Sequence, residues 1–188
     1  MKMAICELES ISPYSQSKFH DTPKLEKETS DDYEWRTWRE KVHADKDGKM
    51  FIPPMQFKNS LAEAARYLSL QIPGKGKATY TKHFKSGVLV TEGLKLPFTK
   101  DDVPMERISC GSQGAGSTRR VTKNFPVIQE WKGEVSFYIL DDTITESIFS
   151  RILSEAGNFI GIGKSRPSSP NGYFYGRYKV NKVEWCDM

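Results

Sequence analysis

The segment best suited to chemistry is a glycine-rich stretch near the carboxyl end of the chain, Gly161-Ile162-Gly163-Lys164-Ser165-Arg166-Pro167. Glycines let a backbone approach a ligand closely and present its N–H groups, which suits phosphate oxygens. Lys164 and Arg166 add positive charge beside those N–H groups. The pattern therefore favours a loop that contacts phosphate.

The residues after this loop alternate aromatic and cationic side chains. A final strand from Tyr173 to Trp185 is predicted. The strand period of two places four aromatic or cationic side chains on one face of it. They are Tyr173, Tyr175, Arg177 and Lys179. Stacking planes and cations in a row can hold single-stranded nucleic acid. Aromatic strands are also common in ordinary sheets, so packing of the tyrosines against a neighbouring segment stays open as an alternative.

Gly163-Lys164-Ser165 shares three letters with the phosphate loop of nucleotide hydrolases. That motif needs a glycine five residues before Gly163, where this chain has Asn158. It also needs a preceding strand, whereas the pattern here predicts a helix. Nucleotide hydrolysis at this segment is therefore excluded.

Two further cationic segments could follow a phosphate backbone. One holds Lys75, Lys77 and Lys82 with no acidic residue among them. The other places Arg119, Arg120 and Lys123 after a glycine–serine run. Lysine and arginine clusters that contact phosphates give salt-sensitive binding. Such clusters more often lie on solvated surface loops without a ligand. Phosphate binding and an ordinary surface loop therefore both stay open as interpretations.

Signals for catalysis or metal binding are weak. The three histidines are far apart in sequence, and Asp21 is only a weak candidate for acid–base or metal chemistry. The three cysteines are also widely separated and fit neither a zinc site nor a disulfide framework. We expect a non-catalytic protein without metal or cofactor.

Composition narrows the class of protein. The chain has 188 residues, a net charge of +4 and 12% aromatic residues, which favours a folded domain and permits a polyanionic partner without requiring one. The cysteine usage favours a reducing compartment. No apolar run approaches the roughly 18 residues of a membrane span, and the first residues do not form a signal peptide. We expect a cytoplasmic protein with no membrane partner.

Two amphipathic helices are predicted to position the candidate residues. Pro53-Pro54 opens the first helix, which ends before Pro73 and shows an apolar face at helical spacing. That face comprises Phe57, Leu61, Ala64, Ala65 and Leu68. Thr143-x-x-Glu146 predicts a capping box at the start of the second helix, and Gly157 a stop at its end.

Strands are predicted at residues 3–11, 88–90, 135–139 and 173–185. With the helices, they give the order βαββαβ, an α+β class of the ferredoxin-like or RRM-like kind. Its antiparallel sheet would carry both helices on one face and leave the other face free to bind a ligand. We expect one domain over residues 1–188, with long thumb-like and finger-like insertions at approximately 12–50, 74–85 and 97–124.

Two passages resemble the RAMP superfamily, which includes the subunits that coat guide RNA in CRISPR effector complexes. Residues 51–61, FIPPMQFKNSL, resemble the I-P-x-S-x-(F/L)-K-G-x-(L/F)-R pattern at the start of the family's first helix. Residues 161–177 resemble the family's carboxyl-terminal glycine-rich loop. The likeness extends to a group of uncharacterised phage-encoded proteins of similar length. The chain departs from the pattern at Asn59, where the family usually has glycine.

The resemblance implies roles for several segments. Lys58 would lie near the nucleic-acid backbone, Gly161 and Gly163 would contact phosphates, and residues 97–124 would form a thumb-like hairpin wedged between bases. Copies of the chain would stack head to tail along the strand. Some family members cut RNA with an aspartate upstream of the first helix, for which Asp21 is the nearest candidate.

Three hypotheses account for these patterns. The first is a non-catalytic protein that binds single-stranded RNA or DNA and oligomerises along it, with CRISPR effector subunits as further partners in antiviral defence. The second is a phage protein that imitates such a subunit and inhibits a host CRISPR complex in the bacterial cytoplasm. The third is a RAMP-type endoribonuclease. No residue type separates RNA from DNA, because that choice depends on contacts to the 2′-hydroxyl.

Overall fold

The structure, a computed structural model, describes residues 1–111, 120–170 and 172–188. Its helices are α1 (Ser30–Thr37), α2 (Pro54–Leu68), α3 (Thr81–Ser86) and α4 (Glu146–Glu155). A 3₁₀ turn (Trp38–Lys41) follows α1, and a π-helical turn (Ala156–Ile160) follows α4. The strands are β1 (Lys2–Ser10), β2 (Tyr14–Ser15), β3 (Lys49–Ile52), β4 (Val88–Leu89), β5 (Leu94–Thr99), β6 (Met105–Gly111), β7 (Arg120–Ile128), β8 (Lys132–Ile139) and β9 (Tyr178–Asp187).

The centre of the molecule is a four-stranded sheet in the order β4-β8-β1-β9, with every neighbouring pair antiparallel. Along β1, the alternating residues Ala4, Cys6 and Leu8 are fully buried on the face that the helices cover. A second sheet has the order β2-β7-β6, and β3 pairs with β5. The prediction of an α+β fold with antiparallel sheets is confirmed.

Helix α2 begins at Pro54, as the sequence predicts, and its apolar stripe faces the core. Phe57, Leu61, Ala64 and Ala65 have no exposed surface. The ring of Phe57 lies edge-on to that of Tyr178 at the start of β9, with 6.4 Å between centroids. Each fully buried Leu or Phe side chain contributes about 1.5–3 kcal/mol, so this stripe holds α2 against the sheet.

Helix α4 begins later than the predicted capping box. Its N-cap is Thr145, whose hydroxyl accepts a hydrogen bond from the Ile148 backbone N–H, so the prediction of Thr143 as the cap is wrong. The chain turns before the helix because the Thr143 N–H donates to Asp141 Oδ1 at 2.9 Å. Ile144, between this turn and the cap, is fully buried and anchors the segment.

Helix α4 ends at Glu155, two residues before the predicted stop at Gly157, but Gly157 is not the residue at which the helical turns end. Helical turns continue through the π turn, and the chain leaves them at Gly161, where φ is 72°. A Cβ atom on Gly157 would lie 2.0 Å from the Tyr178 carbonyl oxygen. Gly157 therefore allows the π turn to approach β9, and it does not terminate the helix.

The structure has regular elements in two segments where the sequence pattern predicts none. β6 and β7, together called the arm, form a long antiparallel ladder, with Met105 opposite Pro126 and Gly111 opposite Arg120. The second half of the predicted basic loop at residues 74–85 belongs to α3. Alternation of polar and apolar residues is weak in β6 and β7, so periodicity alone does not reveal them.

Within the described ranges, no helix combines the length and the apolar character that crossing a membrane requires.

Candidate functional site

The glycine loop, defined here as residues 161–170, leaves the π turn and packs against β2. Gly163 has φ of 78°, and a Cβ there would lie 2.4 Å from the Ser15 carbonyl oxygen and 2.6 Å from the Tyr14 ring. The Lys164 backbone N–H donates to the Ser15 carbonyl at 2.8 Å. Glycine is needed at position 163 because both the backbone conformation and the close approach exclude a side chain.

The glycine loop separates two clefts that share Ser17, Lys164 and Arg166. The first, the helix-side cleft, has a volume of about 230 Å³. Its other lining residues are Gln56, Asn59, Ser60, Glu63, Gly161, Ile162 and Gly163. The second, the arm-side cleft, has a volume of about 380 Å³. Its other lining residues are Lys41, Cys110, Lys123, Phe125, Ser165, Ser169, Pro170 and Tyr173.

The arm-side cleft is strongly cationic. Lys41, Lys123, Lys164 and Arg166 line it, and none of its lining residues in the described part of the chain is acidic. Positive charge in a concave surface attracts anionic ligands more effectively than the same charge on a flat surface. This local field contrasts with the modest net charge of +4 for the whole chain.

Two of these four cations are already paired. Lys41 is 6% exposed, and its Nζ donates to Glu34 Oε2 at 2.5 Å and to the Asn124 carbonyl at 2.8 Å. Burial lowers the pKa of Lys41, and the hydrogen bond to Glu34 opposes that shift. Arg166 lies 3.6 Å from Glu63 Oε2 across the loop.

Lys123 and Lys164 are different, because neither makes an ion pair within the described residues. They face one cleft from opposite sides, Lys123 from β7 and Lys164 from the glycine loop. The cleft therefore carries two positive charges that no acidic side chain of the described ranges balances.

Aromatic rings complete the arm-side cleft. Phe125 is 2% exposed, and Lys41 Nζ lies 4.6 Å from its ring centroid, so this ring supports the buried lysine. The Tyr173 hydroxyl donates to the Ser109 carbonyl at 3.0 Å, which ties the partly exposed Tyr173 to β6. Tyr173 is the cleft's candidate for stacking against a planar ligand.

The structure brings together five of the residues predicted from the sequence. Gly161 and Gly163 line the helix-side cleft, Tyr173 lines the arm-side cleft, and Lys164 and Arg166 line both. The glycine loop alone supplies four of the five.

The predicted face of alternating aromatic and cationic residues does not exist, because β9 begins only at Tyr178. Gly176, with φ of 77°, turns the chain before that point, and its N–H donates to the Pro13 carbonyl at 2.7 Å. The Tyr175 hydroxyl donates to Glu106 Oε2 at 2.9 Å. Burial and Glu106 raise the pKa of Tyr175 to about 12. Arg177 bonds to the Asn158 carbonyl, outside both clefts.

Lys58 is used within the fold. Its Nζ donates to the carbonyls of Phe84, at 3.4 Å, and Lys85, near the end of α3. Burial and the neighbouring charge of Lys85 lower the pKa of Lys58. Lys58 lines neither cleft.

The face of the central sheet that the helices leave uncovered carries lysine and glutamate side chains that form ion pairs with one another. Lys132 Nζ lies 2.9 Å from Glu7 Oε1, and Lys179 Nζ lies 3.1 Å from Glu9 Oε1. Asn181 donates to both carboxylates, at 3.1 and 2.7 Å. Lys179 therefore belongs to this neutralised network and not to the clefts.

The remaining predicted residues lie away from both clefts. Lys75, Lys77 and Lys82 are exposed around and on α3, and Asp21 is exposed between β2 and α1. Arg120 Nε donates to Ser109 Oγ at 3.1 Å on the arm. Arg119 lies outside the described residues.

The sequence pattern does not indicate Lys41 or Phe125 as residues of the site, and it identifies Lys123 only as a member of the cationic cluster that includes Arg119 and Arg120. The pattern Lys123-x-Phe125 has the strand period of two and could have indicated one face of β7. Nothing local to Lys41 indicates its position, because a buried lysine next to Glu34 depends on where the 3₁₀ turn meets the arm.

Comparison of the chain with models of known protein families and with curated proteins found no match. The resemblance to the RAMP superfamily therefore rests on the residues quoted for it.

Proposed function

We propose that this protein binds single-stranded nucleic acid, with RNA as its ligand, and that it has no catalytic role. The observation that carries the proposal is the arm-side cleft, where Lys123 and Lys164 remain without acidic partners among the described residues, beside the partly exposed ring of Tyr173. Cations for phosphates and an aromatic plane for bases are the combination that holds single strands without reading their sequence. Such binding is expected to weaken steeply with salt.

We also propose that the fold is ferredoxin-like. The proposal is supported by the chain order β1-α2-β4-β8-α4-β9 together with the sheet order β4-β8-β1-β9. In the split βαββαβ arrangement, the first and third strands are central and neighbouring strands run antiparallel. The RAMP resemblance predicts the same arrangement, with α2 following the motif at residues 51–61.

The test is a matched pair of charge-reversal variants. K123E/K164E removes the two unbalanced lysines of the cleft, whereas K75E/K77E changes charge by the same amount on an exposed turn away from it. We expect the first variant to lose at least about tenfold in affinity for a fluorescent RNA of about 20 nucleotides, and the second to change little. The slope of log affinity against log salt should fall by about 1.4 in the first variant, because each lost single-strand phosphate contact removes about 0.7.

Equal losses in the two variants would mean that binding depends on overall charge and that the cleft is not the site. Failure of the wild-type protein to bind single strands at any salt concentration would leave the inhibitor hypothesis, in which the ligand is a protein complex. The endoribonuclease hypothesis receives no support from the clefts, since Asp21 lines neither. Intact RNA after long incubation with Mg²⁺ is the expected outcome.

A further inference from the structure

The arm-side cleft contains polar groups that a simple track for a nucleic-acid backbone does not require. Ser165 is 3% exposed, and its Oγ has no hydrogen-bond partner in the described structure. Ser169 Oγ is buried without a partner among the described residues as well. Both residues line the cleft. Buried hydroxyls nearly always have partners, so each of these two hydroxyls has a hydrogen bond left to make at this cleft.

The backbone of Ser165 supports this interpretation. Its φ is 61°, in the left-handed region that side chains other than those of Gly, Asn and Asp rarely adopt. Residues held in this conformation cluster at ligand sites, where the surrounding structure compensates for the strain. A glycine would relieve the strain but would supply no hydroxyl to the cleft.

The charge and the volume of the arm-side cleft indicate which class of phosphate ligand it fits. A phosphodiester carries one negative charge, whereas a phosphate monoester carries about −1.5 to −2 at neutral pH and has three strong acceptor oxygens. The ammonium groups of Lys123 and Lys164 line the cleft, and Ser165 and Ser169 belong to its wall with their hydroxyl oxygens buried. Its volume of about 380 Å³ is at the lower end of small-molecule sites, which suits one nucleotide rather than a longer stretch.

We propose that the arm-side cleft binds the terminal phosphate monoester of a nucleic-acid strand, with Tyr173 stacking on the adjoining base. The inference rests on the proposed function and adds to it a preference for phosphorylated strand ends. Lys123 and Lys164 balance the two charges of the monoester, and the buried Ser165 side chain rotates on binding so that its hydroxyl donates to one of the phosphate oxygens. Lys41 is held by Glu34 and the Asn124 carbonyl in a neutral ion pair, so the positive charge of the cleft comes from Lys123 and Lys164.

The experiment compares three RNA strands of one sequence, which carry a 5′-phosphate, a 3′-phosphate or hydroxyls at both ends. We expect one phosphorylated strand to bind at least about tenfold more tightly than the hydroxyl strand, the gain of roughly one additional charge-assisted hydrogen bond. The preferred end would define the direction in which the strand enters the cleft.

Variants of cleft residues test whether the preference for phosphorylated strand ends comes from the arm-side cleft. S165G should fold normally because glycine readily adopts φ of 61°, yet it removes the hydroxyl and should lower the end preference several-fold. K123A should abolish most of the preference, whereas K75A, on the exposed turn, should retain it. Retention of the full preference in both S165G and K123A would overturn the assignment to this cleft.

The failure of this inference can be told from the failure of the proposed function. Equal affinity for all three strands, with binding still lost in K123E/K164E, would overturn the monoester site and leave single-strand binding intact. Absence of binding to every strand would overturn both.

Discussion

At the scale of single residues, the site depends on where each cation finds a partner. The loop sequence predicts Lys164, which makes no ion pair within the described residues. Lys179, predicted from strand alternation, and Lys58, which the RAMP resemblance implies, are both engaged within the fold. Residue type and spacing can identify a cation near a loop. They cannot tell whether a carboxylate or carbonyl from another element neutralises it.

Lys41 gives a stability prediction at this scale. Replacing it by methionine should destabilise the protein by about 3 kcal/mol, because the mostly buried Glu34 carboxylate would lose its cationic partner. Urea unfolding of K41M checks the value. The double variant E34Q/K41M should recover part of the loss, since it removes the unpaired charge. A double variant less stable than K41M would contradict this account of the pair.

At the scale of elements, the glycine loop, the arm and the 3₁₀ turn must meet for the arm-side cleft to form. The loop is fixed to β2 through Gly163 and Lys164, and the arm joins the same sheet because Tyr14 pairs with Ile128. β2 has only two residues, Tyr14–Ser15, yet it connects both walls of the cleft. Short irregular strands of this kind leave little periodic signal, so the sequence pattern does not reveal it.

The contact between the π turn and β9 gives a prediction for an element. G157A should lower the melting temperature clearly, with a loss of about 1–3 kcal/mol, because the new Cβ would lie 2.0 Å from the Tyr178 carbonyl oxygen and force the two elements apart. Thermal unfolding monitored by circular dichroism measures the change. S154A, on the exposed side of α4, is the control and should behave like the wild-type protein. Equal melting temperatures for both variants would show that the π turn accommodates the new Cβ without loss of stability.

At the scale of the whole molecule, the RAMP resemblance predicts head-to-tail copies along a strand. We expect the free protein to be small and uniform in light scattering, and its mass with RNA to rise in steps as strand length increases. The dependence on length distinguishes assembly on the strand from aggregation, which would not follow strand length. One copy per strand at every length would limit the proposal to a single-site binder.

Much of the fold can be predicted from the sequence because it depends on local periodicity. The buried alternation of β1 and the apolar stripe of α2 are both predictable, since each is set by a repeat of 2 or 3.6 residues. Element ends are less predictable. The cap at Thr145 and the late start of β9 depend on a turn at Asp141 and on the contact of Gly176 with Pro13.

The sequence by itself determined that the chain is an α+β protein whose glycine loop carries Lys164 and Arg166. Only the tertiary structure decided which other residues reach that loop. Lys123 and Phe125 meet the loop because β7 pairs with β2, and Lys41 meets it because its Nζ bonds to the Asn124 carbonyl on β7. Long-range strand pairing and buried ion pairs have no local signature, so the composition of the cleft could not be read from the chain alone.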